Sequence, residues 1–329
     1  IINETTVEEL LLEDGRVSGV RTGREDGDVL VRIEDIDPPR EVPGSANRIL
    51  RDLQRFGLRS DRPVAFQSRR RARHRAAVDQ LLDAGLAFHC GCSRRDLPPS
   101  GTYPGTCRDG IPGGRSPRAV RLRVESGPIE FVDRIQGQVQ ENLAETSGDF
   151  VIWRADDLPA YQLAVVVDDA DQGVTEVVRG YDLIGSTARQ IHVCRSLGLA
   201  CHEYAHHPVA LGAHGEKLSK RFESDPVARL PAEQTLTRVL RFLGQDCPAG
   251  LGLQELWPWA MDNWQLERVP TTATRGAGSS SCGRPRIHRR SGGPSMSSRR
   301  AGQEGEPGAR ARTSGRARTP VDARRRDRL

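Results

Sequence analysis

Apolar and polar residues recur with two different periods along most of the chain. In some stretches every second residue is apolar, and in others the apolar residues recur every third or fourth position. The first pattern predicts β-strands and the second predicts amphipathic helices. The predicted strands are 29–36, 120–124, 129–132, 149–153, 163–167 and 208–211, and the predicted helices are 45–56, 69–84, 186–197, 231–242 and 254–266. Because strands and helices take turns, we predict an α/β fold with a doubly wound, mostly parallel sheet and helices on both faces.

One predicted strand differs from the others because it is continuously apolar. Residues 163–167 contain no polar side chain, as expected of a strand that is covered on both faces. Asp168 and Asp169 would close this strand. In doubly wound folds, ligands bind outside the carboxyl ends of the strands, so this end is a candidate site.

The two ends of the chain lack this alternation. Residues 1–28 predict a strand, a tight turn and a second strand, a hairpin followed by a polar joint. Residues 269–329 are rich in Arg, Gly and Ser and have almost no large apolar side chains. Such a segment cannot offset its ordering entropy, and we predict that it is disordered. Residues 29–268 then form the folded core.

Charge is distributed as unevenly as hydrophobicity. From residue 271 onwards there are 15 Arg, 4 acidic residues and no Lys, which gives +11. The whole chain carries +5, so the preceding residues carry −6. A basic tail would bind nucleic acid without sequence preference. An out-of-frame or misassigned gene end would have the same composition, and both interpretations stay open.

Membrane and secreted classes are not favoured. The chain has no run of 18 apolar residues, so we expect no transmembrane helix and no membrane partner. Its N-terminus lacks the basic and apolar regions of a signal peptide. Seven cysteines, three of them clustered, favour a reduced cytoplasmic protein with a metal site over a disulfide framework.

The clustered cysteines are Cys90, Cys92 and Cys107, with Tyr103 between them. Three thiolates within 18 residues can meet at one Zn²⁺ ion, which prefers four ligands when thiolates bind it. Tyr103, His89 or a water would be the fourth ligand. No acid or base accompanies the cluster, so we predict a structural zinc site rather than a catalytic one. The alternative is three unrelated buried thiols.

The only two lysines of the chain lie in one short segment. Lys217 and Lys220 flank Ser219, whereas every other basic residue is Arg. A lysine ammonium is a compact point charge on a flexible stem, which suits a moving phosphate better than the planar guanidinium. The segment follows a predicted strand, and we predict that it neutralises charge on a transferring phosphate. A solvated charged loop is the alternative.

Charged residues also lie at the predicted strand ends. Alternation puts Arg32 and Glu34 on one face of their strand. An arginine–carboxylate network with a structural role would explain this pair by itself. Arg179, beside Gly180, suits the capture of a substrate carboxylate, although an ordinary salt bridge is the alternative. Tyr161 precedes the apolar run and would otherwise be a core tyrosine.

Four stretches together resemble the class I aminoacyl-tRNA synthetases, in their glutamate-specific branch. They are 31–44, 163–169, 172–180 and 217–220. The resemblance covers about residues 29–268, with a zinc subdomain at about 86–118. Only about 50 foldable residues follow the lysine segment, where a full-length member has a large anticodon-binding domain. The resemblance is therefore to the shortened members of this branch.

The resemblance implies a role for each candidate residue. Lys217, Ser219 and Lys220 correspond to the segment that contacts the ATP phosphates, and the two lysines are the catalytic candidates. Glu34, Tyr161 and Arg179 correspond to the glutamate-binding residues. Cys90, Cys92, Tyr103 and Cys107 correspond to the family's zinc ligands, which favours Tyr103 over His89.

The activity implied by the resemblance is ATP-dependent activation of L-glutamate, with Mg²⁺, to glutamyl-adenylate. The glutamyl group would then pass to queuosine in the anticodon region of tRNA(Asp). We expect a cytoplasmic monomer. Two alternatives are an ordinary glutamyl-tRNA synthetase fragment, which charges the 3′ end of tRNA(Glu), and a non-catalytic remnant that binds tRNA or zinc.

One departure from the family concerns residues 1–28. Family members begin with a strand and a nucleotide loop that contains His and Pro, whereas residues 1–28 contain neither residue type. They show a low-specificity resemblance to a hairpin of flavin-dependent oxidoreductases, without a Gly-rich dinucleotide loop. We therefore expect weak or absent activity from the chain as written.

Overall fold

Helices and strands alternate along the computed structural model, which describes residues 7–13, 16–22, 29–211 and 230–276. The strands are β1 (Val7–Glu13), β2 (Arg16–Thr22), β3 (Arg32–Ile33), β4 (Ala65–Phe66), β5 (Ala87–Cys90), β6 (Ala119–Leu122), β7 (Ile129–Asp133), β8 (Gly137–Glu141), β9 (Phe150–Trp153), β10 (Glu176–Gly180), β11 (Glu203–His207), β12 (Val209–Leu211) and β13 (Thr274–Gly276). The helices are α1 (Ser45–Arg55), α2 (Arg71–Asp83), α3 (Leu143–Thr146), α4 (Tyr161–Asp171), α5 (Ile184–Leu197), α6 (Ala232–Phe242) and α7 (Leu253–Asn263).

The strands form several small sheets instead of one mostly parallel sheet. In the four-stranded sheet β10-β11-β7-β8, the first two junctions are parallel and the last is antiparallel. The sheet β5-β6-β9 is antiparallel, while β3-β4 and β12-β13 are parallel pairs. Parallel neighbours need a long crossover, which α5 supplies between β10 and β11, whereas the short turn after β7 allows an antiparallel return. The predicted α/β class is correct, but the predicted mostly parallel sheet is wrong.

The predicted strand 163–167 is wrong, because these residues lie inside helix α4. Every residue from Leu163 to Asp169 is buried, so all sides of this part of the helix face protein. A helix buried on all sides has no amphipathic stripe. Its apolar run is then indistinguishable from that of a strand buried on both faces. Asp168 and Asp169 accordingly lie within a helix and not at a strand end.

The other predicted helices are confirmed with small shifts at their ends. They correspond to α1, α2, α5, α6 and α7. Helix α5 ends at Gly198, which adopts φ +68°, a left-handed conformation that glycine adopts without steric cost. The predicted strand 29–36 shortens to β3, and the sequence pattern did not predict β8 or β11. The two predicted strands of the N-terminal hairpin are β1 and β2, which pair antiparallel.

Helix α4 lies in the largest hydrophobic core. Side chains from α2, α4 and α5 pack there against the antiparallel strands β6 and β9. The fully buried members include Val78, Leu81, Leu122, Ile152, Leu163, Val166, Val167, Ala188 and Val193. Each large aliphatic side chain contributes roughly 1.5–3 kcal/mol by leaving water. The position of α4 is therefore strongly determined by packing.

A buried polar network joins α4 to α2. Asp168 is fully buried and accepts hydrogen bonds from Arg70 Nε at 2.6 Å and Gln67 Nε2 at 2.8 Å, and its Oδ1 lies 2.9 Å from His74 Nε2. Burial would raise the pKa of Asp168, but His74 and Arg70 hold it below its ordinary value. The carboxylate thus stays charged inside the core, and its partners determine how α2 and α4 cross.

The C-terminal described helices form a separate hydrophobic cluster. Leu236 and Leu240 of α6 pack with Leu256 and Ala260 of α7. Trp257 Nε1 donates a hydrogen bond to the carbonyl of Phe56 at 2.8 Å, just after α1. This bond connects the cluster to the N-terminal part of the fold. Among the described residues, no helix is both long and apolar enough to span a membrane.

Candidate active site

Three of the predicted site residues lie on three different elements. Glu34 follows β3, Tyr161 is the first residue of α4, and Arg179 lies on β10. Burial raises the pKa of the Tyr161 phenol, the nearby Glu34 carboxylate raises it further, and Arg179 opposes this rise. The three side chains therefore share one electrostatic environment. We call them the Arg179 cluster.

Arg32 connects Glu34 to helix α4. Its Nη2 donates to Glu34 Oε1 at 2.9 Å, and its Nη1 donates to Asp169 Oδ1 and Gln172 Oε1, both at 2.6 Å. Burial would lower the pKa of Arg32, but Asp169 and Glu34 raise it, so the guanidinium stays charged. The network expected as an alternative is thus present. It also orients Glu34, whose side chain is 39% exposed and open to a ligand.

Arg179 is held on several sides by buried groups. Its Nε donates to His206 Nε2 at 3.0 Å, and its Nη2 donates to Thr187 Oγ1 at 2.9 Å and to the carbonyl of Leu183 at 3.4 Å. The guanidinium carbon lies 5.3 Å from the centre of the Tyr204 ring, over its face. A guanidinium fixed in this way presents its remaining Nη1–H groups in a defined direction, which suits a charge-assisted hydrogen bond to a carboxylate.

The second group of predicted residues forms the thiol cluster, which consists of Cys90, Cys92, Tyr103 and Cys107. The three sulfur atoms lie within 4.8 Å of one another and are buried, and the Cys92 and Cys107 sulfurs are 3.6 Å apart. The Tyr103 hydroxyl lies 3.6 Å from Cys90 Sγ. His89 is exposed on β5 beside the buried Cys90, and strand alternation directs it away from the sulfurs.

The thiols of the cluster differ in their electrostatic surroundings. Burial would raise the pKa of Cys90, but its hydrogen bonds with Tyr103 and with Arg121, whose Nε lies 3.3 Å away, hold it below its ordinary value. Burial and contact with Cys107 raise the pKa of Cys92 to about 11. Thiolates are the ligands that Zn²⁺ prefers in structural sites, and the three sulfurs lie close enough together to hold one metal ion.

A close backbone contact joins the thiol cluster to the rest of the fold. Gly148 adopts φ +60°, and a Cβ at this position would lie 2.5 Å from the Tyr103 carbonyl oxygen. The Tyr103 N–H donates to the Ser147 carbonyl at 3.0 Å. Glycine is required here both by its backbone conformation and by the lack of space. This contact holds the loop that contains Tyr103 in place.

Residues 22–99 and 113–233 match the model of a family described as tRNA synthetases class I (E and Q), catalytic domain. The chain belongs to this family. Its α/β fold with mixed sheets is accordingly a class I synthetase fold.

Individual relatives agree with this assignment. The chain is 49% identical over 252 residues to the glutamyl-Q tRNA(Asp) synthetase of Chromobacterium violaceum, covering 74% of this chain and 85% of the relative. The protein of the same name from Dechloromonas aromatica is 49% identical over 256 residues, with the same coverage. The one from Pseudomonas aeruginosa PAO1 is 48% identical over 252 residues, again covering 74% and 85%.

A solved structure has the same fold. The glutamate-tRNA synthetase of Elizabethkingia anophelis superposes with a TM-score of 0.62 at 24% identity. The match covers 76% of this chain and 61% of that chain. The chain therefore spans less than two thirds of that synthetase, and the likeness concerns the fold alone.

The remaining predicted site residues of this class I synthetase lie outside the described residues. They are Lys217, Ser219 and Lys220, within the gap between residues 211 and 230. Their role at the ATP phosphates stays a prediction. The expected disorder of the tail also concerns residues outside the described ranges, apart from a short stretch that ends with β13.

Several buried residues around Arg179 were missed by sequence reasoning. They are Asp133, Thr187, Tyr204 and His206. A weak signal was present, since Tyr204 and His206 of β11 alternate with His202 just before it, as residues on one face of a strand do. No property of the sequence brings Asp133 next to His206, because their contact depends on the pairing of β11 with β7.

Proposed function

We propose that this class I synthetase activates L-glutamate with ATP and transfers the glutamyl group to queuosine in the anticodon region of tRNA(Asp). The electrostatic influence of Glu34 and Arg179 on the Tyr161 phenol, from three elements far apart in the chain, is the observation that carries the proposal. The names of relatives that are 48–49% identical support the choice of amino acid and acceptor. The charges also fit the substrate, which has one ammonium and two carboxylates.

Each residue of the Arg179 cluster has a role in this proposal. The Glu34 carboxylate binds the substrate ammonium, and Arg179 binds the side-chain carboxylate with its guanidinium. The Tyr161 hydroxyl contributes a hydrogen bond from the start of α4. A charged pair aligned in this way leaves the α-carboxylate free to react.

Activation requires no covalent intermediate with the enzyme. An oxygen of the glutamate α-carboxylate attacks the α-phosphorus of ATP, the bond to the leaving pyrophosphate breaks, and glutamyl-adenylate forms. Lys217 and Lys220, with Ser219 and Mg²⁺, neutralise the leaving phosphates. Alignment of the two reactants can contribute about 7–11 kcal/mol of the barrier reduction. In the second step a nucleophilic group of queuosine attacks the glutamyl carbonyl carbon, and AMP leaves.

The thiol cluster has a structural part in the proposal. Cys90, Cys92, Tyr103 and Cys107 would hold a zinc ion, and a bound ion would join the end of β5 to the loop that follows it. Such an ion supplies folding energy rather than reactivity. The enzyme works as a monomer in the cytoplasm.

The proposal is tested in two assays with the full chain. Exchange of labelled pyrophosphate into ATP must depend on L-glutamate and must not occur with L-glutamine or L-aspartate. Glutamylation is then measured on tRNA(Asp) with and without queuosine, and on tRNA(Glu). We expect product only with queuosine-containing tRNA(Asp), stable to removal of the 3′-terminal adenosine.

Two results would contradict the proposal. Charging of the 3′ end of tRNA(Glu) would instead indicate an ordinary glutamyl-tRNA synthetase. Folded protein that binds tRNA but neither binds glutamate nor exchanges pyrophosphate would indicate a non-catalytic role. Glutamate-dependent exchange of pyrophosphate, whether slow or fast, agrees with the proposal.

A further inference from the structure

A buried aspartate–histidine pair lies directly behind Arg179. Asp133 is the last residue of β7 and His206 lies on β11, and both side chains are completely buried. Asp133 Oδ2 lies 2.5 Å from His206 Nδ1. The other ring nitrogen, Nε2, accepts the hydrogen bond from Arg179 Nε at 3.0 Å. An anion, an imidazole and a guanidinium therefore follow one another in a line of contacts.

Hydrogen-bond chemistry determines where the proton between Asp133 and His206 lies. Burial would raise the pKa of Asp133, but His206 and the backbone N–H groups of Gln136 and Ile135 hold it below its ordinary value. The carboxylate is thus an acceptor, and His206 Nδ1 carries the proton. Because Arg179 Nε–H can only donate, Nε2 must keep its lone pair. His206 is accordingly neutral, with a tautomer determined by Asp133.

We infer that Asp133 and His206 are positioning residues, which orient Arg179 for the substrate carboxylate. The inference rests on the proposed function for the identity of the ligand. Arg179 Nε donates a hydrogen bond to His206, and Arg179 Nη2 donates one to Thr187. These two hydrogen bonds keep the plane of the guanidinium from rotating. Within the parts of the chain that the structure describes, Nη1 forms no hydrogen bond. That nitrogen is available to a ligand carboxylate.

A purely structural role for the same pair makes different predictions. Asp133 Oδ1 accepts the backbone N–H of His206 at 3.1 Å, and Gln136 Nε2 donates to the His206 carbonyl at 2.6 Å. These two bonds hold β11 against the turn after β7. Neither needs the His206 ring, so changes to the ring contacts can separate positioning from folding.

The most informative variant is Asp133→Asn, which should switch His206 from one neutral tautomer to the other. The new amide keeps an oxygen for the backbone N–H groups but presents N–H donors to His206 Nδ1. The imidazole proton then moves to Nε2, where it opposes the Nε–H of Arg179. We expect the Kd for L-glutamate to rise about 10-fold or more, the size of a lost hydrogen bond to a charged group. The Kd for ATP should stay unchanged.

Two substitutions at residue 206 separate the two ends of the imidazole. His206→Gln places an amide oxygen near the former Nε2 and keeps an acceptor for Arg179, so glutamate affinity should stay closer to that of the wild type. His206→Asn keeps a donor for Asp133 but leaves Arg179 Nε without a partner, so affinity should fall as in Asp133→Asn. The matched control is His207→Asn, at the neighbouring half-buried histidine whose Nδ1 lies 2.9 Å from the Pro208 carbonyl oxygen.

Binding is measured by titration calorimetry with L-glutamate, and the tautomer by ¹⁵N spectra of the histidine rings and the arginine Nε–H groups in the full chain. Asp133→Asn should move the His206 proton to Nε2 and shift the Arg179 Nε–H resonance. Folded Asp133→Asn and His206→Asn proteins that bind glutamate like the wild type would overturn the inference, as would an unmoved Arg179 resonance. A wild-type chain that binds no glutamate would refute the proposed function, while the spectra would still decide whether the pair orients Arg179.

Discussion

The thiol cluster takes its four side chains from residues 90–107, whereas the Arg179 cluster takes Glu34, Tyr161 and Arg179 from elements far apart in the chain. In the first, short loops with glycine bring the sulfurs within 4.8 Å of one another. In the second, the positions depend on where α4 and β10 pack in the core. Local chain geometry thus builds one site, and long-range packing builds the other.

This difference implies that a substitution can disrupt one cluster without disrupting the other. A change in the thiol cluster should release metal and loosen the loop between β5 and β6 while the glutamate site persists. A change in the network around α4 should affect glutamate binding and overall stability while metal content persists. The predictions below test this separation, beginning with the largest expected effect.

Removal of one proposed zinc ligand should have the largest effect, which is on metal affinity. In Cys107→Ser we expect metal affinity to fall by more than about 100-fold, beyond the 10–100-fold that partners of metal ligands contribute. The measurement is zinc content after dialysis against a chelator. The exposed Cys201→Ser is the matched control and should keep its zinc. Full zinc retention by Cys107→Ser would show that residue 107 is not a ligand.

The next largest effect is expected at the buried end of α4. Asp168→Ala removes the buried carboxylate that contacts Arg70 Nε and His74 Nε2, and breaking a buried pair costs about 3–5 kcal/mol. The free energy of unfolding from urea titration should fall by that amount, with zinc content unchanged. Asp171→Ala, whose partly exposed carboxylate also pairs with Arg70, should cost no more than about 1 kcal/mol. Equal losses in the two variants would contradict this account.

Truncation of Arg179 should weaken the binding of L-glutamate and change little else. Arg179→Ala removes one partner of a desolvated charge pair, which costs about 2–5 kcal/mol, or about 30-fold to several-thousand-fold in affinity. Titration calorimetry with L-glutamate measures this loss of affinity. The exposed Arg195→Ala on α5 should bind as the wild type does. Zinc loss in Arg179→Ala would show that the two clusters are coupled.

A smaller effect is expected where the thiol cluster contacts the rest of the fold. In Gly148→Ala the new Cβ meets the Tyr103 carbonyl oxygen at 2.5 Å, and overpacking of this kind costs about 1–3 kcal/mol. Gly101→Ala has a similar backbone angle, φ +79°, but open space around the Cβ. The difference in unfolding free energy between the two variants measures the cost of the contact with Tyr103. Equal free energies would mean that the loop containing Tyr103 moves away at little cost.

The last prediction concerns how the stabilisation that Asp168 provides at neutral pH is lost in acid. Its pKa is lower in the folded state than in the unfolded state, where it is about 3.9. The stabilisation from its ionised form is therefore fully present above about pH 4 and is lost as pH falls through the folded-state pKa. Urea titrations between pH 6 and acid should show a steeper loss for the wild type than for Asp168→Ala. If the unfolding free energies of the two proteins fell in parallel as the pH was lowered, Asp168 would not be the source of the acid-dependent loss of stability.

The two sites also differ in how far the sequence could predict them. The spacing of Cys90, Cys92 and Cys107 predicted their meeting, because 18 residues with glycines leave few ways to separate them. The roles of Glu34 and Arg179 came from resemblance to a family and not from spacing. His206 and Asp133 were not predicted by either route, since their contact exists only through the pairing of β11 with β7.

The sequence by itself determined the alternation of helices and strands, the boundaries of the amphipathic helices, the thiol cluster and the family. These properties depend on local periodicity, on short spacing or on long matching stretches. Only the tertiary structure decided that residues 163–167 are helical, since an apolar run buried on every side has no period that distinguishes helix from strand. It alone also decided that Arg179 is held by a buried imidazole and carboxylate, because contacts between distant strands depend on the packing of the whole core.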